Sequence, residues 1–76
     1  MAVILVTGSS TGIGYAEAET LGRNGHTVYA SMRNPQRSPA LQQLADKENL
    51  PITVITMDVT DEQSVNNAIG LILSKE

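Results

Sequence analysis

Val3-Ile4-Leu5-Val6-Thr7-Gly8-Ser9-Ser10-Thr11-Gly12-Ile13-Gly14 is the stretch that decides the fold. A β-branched apolar run leads into a glycine-rich turn, and a helix-compatible segment follows. The run reads as a strand from roughly Val3 to Thr7, and the segment as a helix from about Gly12 to Arg23. This arrangement puts a helix N-terminus, with unpaired N–H groups and the positive end of its dipole, where a phosphate can sit. Gly8 permits a tight turn off the strand, Gly12 lets backbone approach a pyrophosphate, and Gly14 lets the helix pack close to the strand. The spacing is Gly-x-x-x-Gly-x-Gly rather than the commoner Gly-x-Gly-x-x-Gly.

Outward from this stretch, composition narrows the possibilities. At 76 residues the chain is one small domain at most, which buries roughly 60% of its unfolded surface. It is 41% hydrophobic and 17% charged, which suits a folded interior. Tyr15 and Tyr29 are the only aromatic residues, so the core must rest on Val, Ile, Leu, Met and Ala. A net charge of −3 without a basic cluster argues against a nucleic-acid surface. With no cysteine there is no disulfide, thiolate nucleophile or zinc–thiolate site, and His26 has no second imidazole to form a metal pair. His26 follows the Asn24-Gly25 turn and reads as a solvated residue. The opening apolar run is too short to span a membrane and lacks a basic leader, so a soluble cytoplasmic protein is expected.

The remaining pattern alternates strand and helix, the signature of a parallel sheet with crossover helices. In the first helix Ile13, Ala16, Thr20 and Leu21 fall near one face, and Glu17 is expected to face solvent. Gly25 is a candidate left-handed cap. A second strand spans about Thr27 to Met32 and is closed by Asn34-Pro35. Ser38-Pro39 reads as a helix start with the serine as N-cap, followed by a buried stripe of Leu41, Leu44 and Ala45. Ile52 to Val59 reads as a third strand. Thr60-Asp61-Glu62-Gln63 has the form of a capping box opening a last helix, in which Val65, Ala68, Ile69 and Ile72 recur at helical spacing.

Thr7 to Gly14 resembles the N-terminal signature of the classical short-chain dehydrogenase/reductase family, Thr-Gly-x-x-x-Gly-x-Gly, at every fixed position. The resemblance implies an α/β fold with a Rossmann-type parallel sheet, here a partial βαβαβα unit with helices on both faces. Residues 1–76 would be the N-terminal part of a single dinucleotide-binding domain, without the catalytic C-terminal part. Gly8, Ser9, Ser10, Thr11, Gly12, Ile13 and Gly14 would form the phosphate loop. At the end of the second strand, Met32 stands where an NAD-selective member would be expected to carry aspartate, and Arg33 follows as in NADP-preferring members. A guanidinium can fork onto phosphate oxygens, so NADP(H) is expected over NAD(H). Asp58-Val59, ending the third strand, matches the family's adenine-binding pair: a carboxylate to accept from the amino group and an N–H to donate to the ring.

The family's catalytic serine, tyrosine and lysine lie further along its members, the lysine four residues after the tyrosine. Here Glu19 stands four residues after Tyr15 and Arg33 four after Tyr29, so neither tyrosine qualifies and no catalytic residue is assigned. Asn66-Asn67-Ala68-Ile69-Gly70 imitates the family's Asn-Asn-Ala-Gly motif with one insertion, but its helical setting makes the asparagines a solvated face. The expected function is the NADP(H)-binding segment of a homo-oligomeric oxidoreductase acting on a carbonyl or alcohol. The alternative is a non-catalytic nucleotide-binding or regulatory module.

Overall fold

The computed structural model describes residues 2–10 and 12–76. The elements follow in the order β1 (Val3–Val6), α1 (Gly12–Arg23), β2 (Thr27–Met32), a short 3₁₀ turn (Pro35–Arg37), α2 (Ala40–Glu48), β3 (Ile52–Thr56) and α3 (Glu62–Lys75). β2 is the central strand and pairs in parallel with both neighbours. Val3 lies opposite Thr27 on one side, and Val28 opposite Ile52 on the other. Side chains alternate across a strand, and in β2 both sets are covered. Val28, Ala30 and Met32 pack with Ala18, Leu41, Ala45 and Ile52 beneath α1 and α2. Tyr29 packs with Ile55, Met57 and Ala68 beneath α3. The helices therefore lie on both faces of a Rossmann-type sheet, and β2 reads as a continuous apolar run because it is buried on both sides.

Of the four residues expected on one face of α1, Ile13, Ala16 and Thr20 are exposed and Leu21 alone packs against the core. Ala18 and Gly22 are the buried residues of α1, with Tyr15 and Leu21 packed alongside. Ile13, Ala16, Glu17, Thr20 and Leu21 instead line a shallow, mostly apolar trough of about 350 Å³. Gly22 has a packing reason that glycine spacing did not reveal. A Cβ there would stand 2.7 Å from Ile52 Cδ1, so its absence lets α1 settle onto β3's first residue. Gly25 ends the helix at φ +86°, as its position after Asn24 predicts.

Local polar chemistry shifts several expected boundaries. Pro35 starts a turn of its own, whose closing bond runs from Ser38 N–H to the Pro35 carbonyl, so Ser38 ends the 3₁₀ turn and does not cap α2. Pro39 occupies the capping position and offers no side-chain hydrogen bond. β3 ends at Thr56 rather than Val59, although Met57 N–H still donates to the Met32 carbonyl. At α3 the cap is Asp61, one residue later than expected, its carboxylate accepting from Gln63 and Ser64 N–H. Thr60 is held elsewhere, by Asp58. His26 is half-buried rather than fully solvated, and its Nδ1 accepts from Ala2 N–H at 3.1 Å. Asn66 and Asn67 are exposed on α3, as their helical setting requires.

The two sheet edges are finished differently. On β3, Gln42 Oε1 accepts from Val54 N–H at 2.9 Å, so a side chain of α2 occupies an edge donor. On β1, Val3 and Leu5, on the α3 side of the sheet, are 50% and 38% exposed. A bare apolar edge is a template for strand pairing. A polypeptide of these 76 residues is therefore expected to self-associate through β1, and Leu5→Lys to reduce that association. Size-exclusion chromatography at rising concentration checks this. A wild-type monomer at every concentration would contradict it.

Candidate functional site

Parallel strands deliver their C-terminal ends to one rim of the sheet, and three of the expected segments meet there. Gly8 follows β1, Arg33 follows β2, and Asp58 lies just beyond β3. Gly8, Ser10, Met32, Arg33, Met57 and Val59 line a cleft of about 180 Å³ at this rim. On the other side of Arg33 a second hollow, of about 420 Å³, is lined by Arg33, Asn34, Pro35, Gln36, Val54 and Thr56. The Arg33 side chain stands between the two hollows and is 79% exposed.

The glycine loop is shaped by backbone conformation and by one close approach. Gly8 and Gly12 have φ of +63° and +62°, a region that favours glycine, and a Cβ on either would meet no atom within 4 Å. Their Cβ directions thus open into free space, where backbone can approach a ligand. Gly14 is the opposite case. A Cβ there would collide with the Gly8 carbonyl oxygen and lie 2.9 Å from the Gly8 carbonyl carbon. Gly14 thus seats the first turn of α1 on the turn that leaves β1. α1 has no acidic residue in its first turn, which leaves the positive end of its dipole uncompensated by a carboxylate.

The remaining loop residues have separate places. Ser9 is fully buried, and both its N–H and its hydroxyl donate to the Ser31 carbonyl, at 3.0 and 2.8 Å. Ser31 in turn donates its hydroxyl to the Val6 carbonyl. Ser9 therefore clips the glycine loop to the end of β2 and presents neither donor outward. Ser10 lines the cleft, and the Ile13 side chain is 80% exposed. Thr11 lies outside the described residues. Met32 is only 3% exposed and belongs to the core beneath α2, although it also walls the cleft. A carboxylate at that position would have to be accommodated among apolar neighbours.

Asp58 is the most heavily tied group at the rim. Its Oδ1 accepts from Thr60 N–H at 3.0 Å and from the Thr60 hydroxyl at 2.7 Å. Its N–H donates to the Ser64 hydroxyl, and its carbonyl accepts from Asp61 N–H. Oδ2 faces the Arg33 Nε at 3.7 Å. These contacts, the Thr60 hydroxyl first, hold the Asp58 carboxyl below its ordinary value. The group is thus an anion at any pH near neutrality, and Arg33 is a cation beside it. Among the described residues no acceptor meets the Val59 N–H, and Val59 is 63% exposed. The sequence offered Thr60 as a helix cap and Ser9 as a phosphate-loop residue, but not the bonds of Thr60 and Ser64 to Asp58 or of Ser9 to Ser31, because only their partners give such residues these roles.

Neither tyrosine is among the residues that line the two hollows of this rim. Tyr29 is 3% exposed, and its hydroxyl donates to Glu76 Oε2 at 2.5 Å, at the far end of α3. The hydrogen bond to Glu76, with burial, raises its phenol above the ordinary value. Tyr15 is half-buried against the core beneath α1. Among the described residues no cluster of three or more His, Cys, Asp or Glu could hold a metal ion, and no helix is long and apolar enough to cross a membrane.

Comparison with known proteins bears on the family and the fold. A family model described as short chain dehydrogenase matches residues 2–75. The chain is 33% identical over 75 residues to a 3-ketodihydrosphingosine reductase of Bacteroides thetaiotaomicron, covering 97% of this chain and 24% of that protein. It is 37% identical over 67 residues to a 3-oxoacyl-[acyl-carrier-protein] reductase of Aquifex aeolicus, covering 87% of this chain and 27% of that one. Among solved structures, a carbonyl reductase from Pseudomonas aeruginosa PAO1 in complex with NADP superposes with a TM-score of 0.82 at 34% identity. That match covers 96% of this chain and 33% of the other. The chain thus spans about a quarter to a third of the length of the relatives it matches.

Proposed function

Because this chain belongs to the short-chain dehydrogenase family, we propose that it is the NADP(H)-binding segment of an oxidoreductase acting on a carbonyl or alcohol group. The observation that carries the cofactor choice is Arg33. Its side chain is 79% exposed at the strand-end rim and, among the described residues, makes one 3.7 Å ion-pair contact, to Asp58. A loosely held cation at that place suits a ribose 2′-phosphate, which a nearby uncompensated carboxylate would repel. Among the described residues Asp58 is the only carboxylate within ion-pair distance of Arg33, and its Oδ1 already accepts from Thr60.

The other residues fit the same ligand. Gly8 and Gly12 open their Cβ directions to space, Ser10 lines the cleft, and α1 presents its N-terminus from Gly12 and Ile13. These would hold the pyrophosphate, while Gly14 and Ser9 hold the loop itself. Asp58 Oδ2 and the Val59 N–H would take the adenine. When bound, the nicotinamide ring supplies or accepts a hydride. The residues described here bind and orient the cofactor's adenosine end. Support for the nicotinamide cofactor comes from the family and from the NADP complex of the Pseudomonas carbonyl reductase.

Titration of NADPH and NADH into the whole protein, followed by nicotinamide fluorescence or calorimetry, tests this reading. NADPH is expected to bind more tightly. A charge-assisted hydrogen bond contributes about 1.5–3 kcal/mol, which is about ten- to a hundredfold in affinity. Arg33→Ala should weaken NADPH binding by that factor and change NADH binding little. Equal affinities for the two cofactors in the wild type would defeat the assignment.

A further inference from the structure

We propose that Thr60 is a positioning residue that makes the site select adenine, by reserving one oxygen of Asp58 for the base. The proposal rests on the reading of Asp58-Val59 as the adenine-binding pair.

Every polar group of Asp58 except one has a partner within the chain. Its N–H donates to Ser64, its carbonyl accepts from Asp61, and Oδ1 accepts both the N–H and the hydroxyl of Thr60. Among the described residues Oδ2 alone receives no hydrogen bond, and Arg33 Nε stands 3.7 Å from it. The next residue's N–H, that of Val59, is a donor without an acceptor among the described residues. The pair offers one acceptor next to one donor. Adenine's amino group and ring N1 present the complementary donor and acceptor. Hypoxanthine, in which an oxo group replaces the amino group and N1 is protonated, presents the reverse order and meets like against like.

The Thr60 hydroxyl matters because Arg33 competes for the same carboxylate. Another arginine–carboxylate pair of this molecule closes fully, its arginine held by Glu19 as well. On the helical side of this molecule Arg23 forks onto both oxygens of Glu48, at 2.8 and 3.0 Å. At the rim, the bonds from Thr60 to Oδ1 hold the carboxylate's rotation, and the Arg33–Asp58 contact stays at 3.7 Å. Without the hydroxyl, one backbone N–H remains on Oδ1 and the carboxylate can turn toward the guanidinium. Oδ2 then ceases to be reserved for the base. Thr60 itself is exposed and need not touch the ligand.

The test compares NADPH with its hypoxanthine analogue, nicotinamide hypoxanthine dinucleotide phosphate. Both carry the 2′-phosphate, so the direct contribution of Arg33 cancels in their ratio. In the whole protein the adenine form is expected to bind about tenfold tighter, the scale of one well-placed bidentate base contact. Thr60→Val should bring the two affinities to within about threefold, and Thr60→Ala, which removes the same hydroxyl without adding a methyl group, should do the same. Thr60→Ser keeps both bonds to Oδ1 and should restore the wild-type ratio. A purely structural role for Thr60 would weaken both ligands alike and leave the ratio intact. Valine and alanine variants that keep the wild-type ratio overturn this proposal alone. A wild type with no preference between the bases overturns it together with the adenine assignment of Asp58. The NADPH-to-NADH ratio reports on Arg33 separately.

Discussion

Replacing Gly14 by alanine is expected to cost on the order of 3–5 kcal/mol, a large share of the stability of any domain this size. The added methyl group meets backbone, the Gly8 carbonyl and the Ser9 Cα at 3.1 Å, and backbone cannot rotate away as a side-chain end can. Either α1 moves off the turn or the turn deforms, and each outcome spoils the phosphate loop. Two other helical glycines provide the scale. At Gly22 the methyl group meets Ile52 Cδ1 and Cγ1 at 2.7 Å, a flexible side chain that can partly yield, so Gly22→Ala should cost less. At Gly70 it meets nothing within 4 Å, and Gly70→Ala should stabilise α3 by about 0.5–1 kcal/mol through helix propensity. Urea denaturation of the three variants in the whole protein should rank them in this order. A Gly14→Ala midpoint equal to wild type would show that the helix seat is not tight.

A polypeptide of residues 1–76, assayed alone with NADPH and a panel of aldehydes, ketones and quinones, is expected to oxidise no cofactor. General acid–base help in hydride chemistry needs a group of suitable pKa within reach of the reacting oxygen. Tyr29 fails on both counts, being sealed beneath α3 with its phenol raised by the hydrogen bond to Glu76. Tyr15 is packed against the core, and no lysine follows either tyrosine at the fourth residue. Absorbance at the reduced-nicotinamide band should stay flat. Cofactor oxidation that yields a defined alcohol product would refute this and would place catalytic groups within these residues.

Much of this architecture was legible in the sequence because it rests on short-range rules. β2 and α1 lie where their patterns put them. The apolar run from Thr27 to Met32 is bounded by turn residues, and Asn24-Gly25 supplies a left-handed stop to the helix. Boundaries failed where two local solutions competed. Pro35 began a turn before Ser38 could cap α2, and Asp58 captured Thr60, leaving the cap of α3 to Asp61. A carboxylate at either position satisfies local rules, and only the path of the chain after β3 chose between them.

By itself, then, the sequence determined the alternation of strand and helix, the glycine turn before a helix N-terminus, and the presence of Arg33 and Asp58 at strand ends. Those features depend on residue type, spacing and neighbours within a few positions. Tertiary structure alone decided that Ala18 and Gly22, rather than the Ile13 face, meet the sheet, because burial depends on which elements stack there. It also decided that Gly14 seats a helix on a carbonyl, that Ser9 fastens the loop to β2 and that Arg33 stands 3.7 Å from Asp58. Each of these joins residues that are distant in the chain or turns on a close approach of backbone to backbone. Parallel pairing brings the three strand ends onto one rim, and no local pattern encodes the distances that result.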